Sequence, residues 1–139
     1  MIFVGVGANL EHPRYGGPRE TCQAALALLE DAPEISVRRR SRWYRSAPVP
    51  VSDQPWFVNA VAELETDLEP AALLARLHAV EQHFGRVRRA RNEARVLDLD
   101  LLAYHDRLSA PQEALQLPHP RLAHYAETVR GDHQRAESG

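Results

Sequence analysis

Between residues 2 and 104 the spacing of apolar residues alternates twice between a period of two and a period near 3.6, which restricts the chain to a few two-layer folds. Ile2 to Val6 reads as a short buried strand, followed by Gly7-Ala8-Asn9-Leu10 and a turn-rich stretch to Gly17. Pro18 suits the first position of a helix, because the amide it lacks has no intrahelical acceptor there. Cys22, Ala25, Leu26 and Leu29 then make one apolar face, and Pro33 forbids continuation. Ile35 to Arg45 alternates and carries β-branched and aromatic residues, so it reads as a strand with arginines on its outward positions. Ser46 to Pro55 contains three prolines and is expected to be a loop. Phe57 to Leu64 reads as a strand with Val58, Ala60, Ala62 and Leu64 on one face and Phe57, Asn59 and Val61 on the other. Pro70 opens a second helix whose buried stripe is Leu73, Leu74, Leu77, Val80 and Phe84, closed by Gly85. Val96 to Tyr104 is the fourth strand. The order strand, helix, strand, strand, helix, strand predicts an α+β, ferredoxin-like domain, with an antiparallel-rich sheet and both helices on one face.

With 139 residues and 44% apolar content, one domain with one core is expected. The net charge of -2 gives no overall pull toward nucleic acid or anionic membrane. One cysteine, Cys22, excludes an internal disulfide and a cysteine-based zinc site, and fits a reducing compartment. The start has no basic leader, and no segment approaches the roughly 20 apolar residues of a membrane span, so a soluble, cytoplasmic protein is expected. A monomer is expected as well. All 17 basic charges counted as lysine plus arginine are arginines. A Walker-type phosphate loop needs a lysine, so any nucleotide must be held another way.

Chemistry concentrates on the fourth strand. Asp98 and Asp100 project from one face while Leu97, Leu99 and Leu101 project from the other, and the two aspartate Cα atoms should lie about 6.5–7 Å apart. Two carboxylates on a strand this apolar repel each other and resist desolvation, and a divalent cation relieves both penalties. Oxygen-only ligation favours magnesium or manganese. The alternative is a solvent-facing sheet surface with hydrated aspartates. Arg86, Arg88, Arg89, Arg91 and Arg95 crowd the loop that leads into this strand, offering paired donors suited to phosphate oxygens. Glu81 falls on or beside the apolar stripe of the second helix, near the end where the helix dipole disfavours an anion. Arg38, Arg39, Arg40, Arg42 and Arg45 read as a charged edge strand that resists edge pairing.

The segment Arg95-Val96-Leu97-Asp98-Leu99-Asp100-Leu101-Leu102 resembles the R-x-x-D-h-D-h-h core, h being aliphatic, of the 6-hydroxymethyl-7,8-dihydropterin pyrophosphokinase family. Gly7-Ala8-Asn9-Leu10 is similar to that family's first loop and Tyr44-Arg45-Ser46-Ala47-Pro48 to its second. Asp53 to Asn59 resembles the entry to its pterin pocket. Glu81, Gly85, Arg86 and Arg88 precede the core motif as expected, and Leu117-Pro118-His119-Pro120-Arg121 matches its P-H-P-R turn.

The resemblance implies a ferredoxin-like enzyme of folate biosynthesis that transfers pyrophosphate from ATP to 6-hydroxymethyl-7,8-dihydropterin. It implies that Asp98 and Asp100 bind two magnesium ions, and that these aspartates act in catalysis with Arg86 and Arg95. Glu81, Arg86, Arg88, Arg95 and His119 would contact ATP. Asn59 would read the pterin edge, Phe57 would stack on its ring, and Ser46, Ala47, Pro48 and Val49 would complete the pocket. The partners are small molecules, with no nucleic acid and no membrane. Residues 1–122 are expected to form the pyrophosphokinase domain and 123–139 a divergent, partly disordered tail. The family's arginine and second stacking phenylalanine after P-H-P-R are replaced here by Ala123 to Thr128, which leaves open a catalytically impaired nucleotide- or pterin-binding homologue. An RNA-binding module using the arginine loops with Trp43, Trp56 and Phe57 is a third reading, against which the paired aspartates count because they repel phosphate unless a metal is bound.

Overall fold

The computed structural model describes residues 1–47, 53–85, 97–110, 115–119 and 135–136. Its elements run β1 (Ile2–Ala8), α1 (Pro18–Glu30), β2 (Ile35–Arg40), β3 (Tyr44–Ser46), β4 (Phe57–Thr66), α2 (Pro70–His83), β5 (Asp98–Tyr104) and β6 (Arg135–Ala136). The strands form one sheet in the order β5-β1-β4-β3-β6, with β2 also pairing β4, and every pairing is antiparallel. Both helices pack on one face. This is the α+β, ferredoxin-like arrangement expected from the alternating periods. No helix among the described residues is long and apolar enough to cross a membrane.

The helices begin and end where local chemistry requires. Each has proline in its first turn, after an extended N-cap, Gly17 for α1 and Glu69 for α2. Gly85 follows α2 with φ of 88°, a left-handed turn that glycine adopts without strain. Leu73 and Leu77 of α2, and Cys22, Ala25, Leu26 and Leu29 of α1, meet Ile2, Val4, Val6 and Ala8 of β1 and Val58, Ala60, Ala62 and Leu64 of β4 in one core. Burying a leucine such as Leu73 or Leu77 contributes about 1.5–3 kcal/mol. Leu97, Leu99 and Leu101 join this core, which leaves Asp98 and Asp100 on the sheet face away from the helices.

One expectation changes. The strand foreseen over 35–45 is broken at Ser41–Trp43 into β2 and β3, with an irregularity between Val37 and Arg39. Ser41 is the cause. Its backbone N–H donates to the Val61 carbonyl at 2.8 Å and its hydroxyl accepts from the Val61 amide at 2.9 Å, so a side chain takes one place in the ladder. Trp43 then turns into the core beneath the Arg40 guanidinium, 4.5 Å from its ring centroid. Arg135–Ala136 also pairs with Tyr44 and Arg45 of β3, where that strand's outer edge offers backbone groups for pairing. The proposed domain boundary at residue 122 lies outside the described residues.

The charged edge expected over Arg38 to Arg45 holds for β2, whereas Arg45 lies on β3 and is paired with both β4 and β6. Among the described residues β2 pairs only with β4, and Arg38, Arg39 and Arg40 are exposed. Arg39 Nε donates to Glu63 Oε1 of β4 at 2.6 Å, and this bond holds the Glu63 carboxyl below the ordinary glutamate range.

Candidate functional site

The solvent-side face of the central strands is built around a glycine. Gly7 of β1 stands opposite Asp98 of β5 on one side and Asn59 of β4 on the other, and Gly5 stands between Asp100 and Val61 in the same way. Directly opposed residues point to the same face of a sheet, so the carboxylates and the Asn59 amide line one surface, separated by a strip without side chains. A Cβ at Gly7 would meet only the Val58 carbonyl oxygen at 3.5 Å and the Asn59 Cβ at 3.7 Å, both ordinary contacts. The fold itself therefore has room for alanine at this position, and the missing methyl keeps the strip open.

At the acidic end Asp98 and Asp100 are 5% and 9% exposed. His119 Nε2 stands 3.6 Å from Asp100 Oδ1, and the His119 backbone amide donates to the Leu102 carbonyl at 2.8 Å, which ties this segment to β5. Among the described residues no group of three or more His, Cys, Asp or Glu converges on one point as a metal cage. Two carboxylates with further positions left to water and phosphate oxygens are a donor set that suits magnesium, which keeps several waters and needs few protein ligands. Burial, reinforced by the Asp98 charge, pushes the Cys22 thiol far up, so Cys22 is a packing residue and no nucleophile.

At the other end, Asn59 Nδ2 donates to Ser46 Oγ at 3.0 Å and to the Tyr44 carbonyl at 3.3 Å, while the Ser46 hydroxyl lies 3.4 Å from Asn59 Oδ1. These bonds from β3 fix the orientation of the buried Asn59 amide, with its Nδ2 engaged by Ser46 and Tyr44. Phe57 is half-buried on the same face of β4, and Ala47 is exposed beside Ser46. The structure thus brings together Asp98, Asp100, His119, Asn59, Ser46 and Phe57. Pro48, Val49, Arg86, Arg88 and Arg95 lie outside the described residues.

Two features escaped the sequence reading. Asn9, 2% exposed, donates through Nδ2 to Gln54 Oε1 at 3.1 Å and to the Pro55 carbonyl at 3.0 Å, so the loop after β1 holds the approach to β4. A buried asparagine directly after a strand was the available signal, but its partners lie more than forty residues away. Glu81 turns inward, and its Oε2 accepts from the Leu99 amide at 2.8 Å, between the two aspartates.

The family model for 7,8-dihydro-6-hydroxymethylpterin-pyrophosphokinase (HPPK) matches residues 3–130. The chain belongs to the HPPK family. The match takes in every element of the site above and runs past residue 122. Among named HPPK relatives, the 2-amino-4-hydroxy-6-hydroxymethyldihydropteridine pyrophosphokinase of Pseudomonas aeruginosa is 42% identical over 124 residues, covering 89% of this chain and 70% of that protein. The enzyme of the same name from Haemophilus influenzae is 38% identical over 117 residues, covering 84% of this chain and 69% of that one. That of Bacillus subtilis is 35% identical over 123 residues, covering 88% and 70%.

Proposed function

We propose that the chain transfers the β,γ-pyrophosphoryl group of ATP to the hydroxymethyl group of 6-hydroxymethyl-7,8-dihydropterin, releasing AMP and the pterin diphosphate for tetrahydrofolate synthesis. One observation carries this reading within the HPPK family: the nearly buried Asp98 and Asp100 share a sheet face with the Asn59 amide, across a strip kept open by Gly7.

In this reading Asn59 and Ser46 take the hydrogen-bonding edge of the pterin, Phe57 stacks on its ring, and the 46–49 backbone closes the pocket. Arg86, Arg88, Arg95 and His119 take the ATP side, the arginines as paired donors to phosphate oxygens. Asp98 and Asp100 hold two magnesium ions, which supply neutralisation of the triphosphate charge. The hydroxymethyl oxygen forms a bond to the β-phosphorus as the bond from that phosphorus to the α,β-bridging oxygen breaks, in line. The bridging oxygen leaves with AMP, and the hydroxyl proton passes to water or to an aspartate oxygen. No covalent enzyme intermediate is needed, because positioning and charge neutralisation account for most phosphoryl-transfer catalysis. The chain works as a cytoplasmic monomer on these two small molecules, and its net charge of -2 supplies no reason to add a nucleic-acid or membrane partner.

Incubation with hydroxymethyldihydropterin, ATP and magnesium tests the proposal. AMP and pterin diphosphate should appear in equal amounts. ATP binding without AMP would refute transfer and leave a binding homologue.

A further inference from the structure

Glu81 occupies a costly position. It is 1% exposed, it sits near the C-terminus of α2 where the helix dipole disfavours an anion, and the buried Leu77, Val80, Phe84, Leu97 and Leu99 belong to the same core region. A leucine there would pack without that penalty. What the carboxylate does instead is accept the Leu99 N–H at 2.8 Å, an ionised acceptor on a backbone donor.

The bonded amide is the one between Asp98 and Asp100. Main-chain groups of successive residues in an antiparallel strand point alternately to opposite sides, so an amide at Leu99 aimed at α2 leaves those of Asp98 and Asp100 aimed at β1, where Gly7 and Gly5 lie opposite. The Leu99 side chain is fixed in the core. Glu81 adds the remaining restraint, from the outer side of β5. We infer that Glu81 is a positioning residue that holds the β5 backbone between Asp98 and Asp100 and thereby fixes how the two carboxylates are set toward their cations. This inference rests on the reading of Asp98 and Asp100 as cation-binding, and it replaces direct ATP contact as the role of Glu81.

The test compares Glu81→Gln, Glu81→Asp and Glu81→Leu with the unaltered chain. Hydrogen exchange of the Leu99 amide is followed by NMR in metal-free, substrate-free protein, and the magnesium dependence and KM for ATP are followed in the transfer assay. Glutamine retains a side-chain carbonyl that can accept the same N–H, whereas aspartate keeps the charge but is one methylene too short. Glu81→Leu and Glu81→Asp should accelerate Leu99 exchange relative to other β5 amides by about tenfold or more, the scale of a charge-assisted hydrogen bond. They should also raise the magnesium needed for half-maximal turnover, and Glu81→Gln should restore both properties most of the way. Should Glu81→Leu fail to fold, Glu81→Asp carries the same test. Native Leu99 exchange and native magnesium dependence in Glu81→Asp would overturn the inference. So would a Glu81→Gln chain as impaired as Glu81→Asp through KM for ATP alone, because that result means direct nucleotide contact. If the unaltered chain makes no pterin diphosphate, the functional reading fails by itself, and the exchange measurement still decides whether Glu81 holds β5.

Discussion

Gly7 and Asn59 face each other across β1 and β4, and a Cβ at Gly7 would come within 3.7 Å of the Asn59 Cβ without meeting backbone closer than 3.5 Å. The glycine is thus explained by what must lie over it. Gly7→Ala should leave stability unchanged or raise it by up to about 1 kcal/mol, since alanine restricts the unfolded chain more than glycine does. Its methyl should obstruct the strip between Asp98 and Asn59 and lower kcat/KM for the pterin by about tenfold or more, equivalent to about 1.4 kcal/mol or more. Thermal unfolding and steady-state kinetics check the two halves separately, and a Gly7→Ala chain with native kinetics would remove the strip from the site.

Asn59 supplies the only amide side chain held by both Ser46 and Tyr44 among the described residues. Asn59→Ala should weaken pterin binding while leaving binding of a non-hydrolysable ATP analogue within about threefold, a difference of under about 1 kcal/mol. Calorimetric titration of each ligand tests this. Equal losses for both ligands would mean that Asn59 supports the sheet and does not read the pterin.

The Arg39 to Glu63 bond carries a pH signature. Because the hydrogen bond from Arg39 lowers the Glu63 carboxyl in the folded state, its contribution is fully present above the unfolded glutamate value of about 4.3 and is lost as pH falls through the lower folded value. Glu63→Gln should therefore lower stability at neutrality, modestly because Arg39 is strongly exposed and the pair is screened by solvent, and cost little in acid where the native carboxyl is protonated as well, so its stability falls less on acidification. Urea unfolding at a series of pH values decides it, and identical acid slopes would contradict the assignment.

Much of this fold could be read from local pattern, and the exceptions share one cause. Pro18, Pro33, Pro70 and Gly85 mark helix ends through their own backbone limits, and the Val58-Ala60-Ala62-Leu64 alternation fixes which face of β4 is buried. The break at Ser41 could not be read there, because it depends on Val61, which joins Ser41 only once β4 has paired. The Arg135–Ala136 pairing likewise depends on the free edge of β3. At the site, Asp98 and Asp100 declared themselves by spacing two carboxylates on one face. Glu81 did not: the helical period put it near the buried stripe, but its acceptor role needs the Leu99 amide from another element. Gly7 stood out only as part of Gly7-Ala8-Asn9-Leu10, since its place in the site depends on the neighbours on β5 and β4.

The central claim is that Asp98 and Asp100 hold the cations on which pyrophosphoryl transfer depends. Its most direct test is the rate of AMP formation across a magnesium titration for Asp98→Asn and Asp100→Asn, with circular dichroism confirming the fold. Each variant should lose roughly a thousandfold in turnover, about 4 kcal/mol of transition-state stabilisation, at every magnesium concentration. Native turnover in either folded variant would contradict the account.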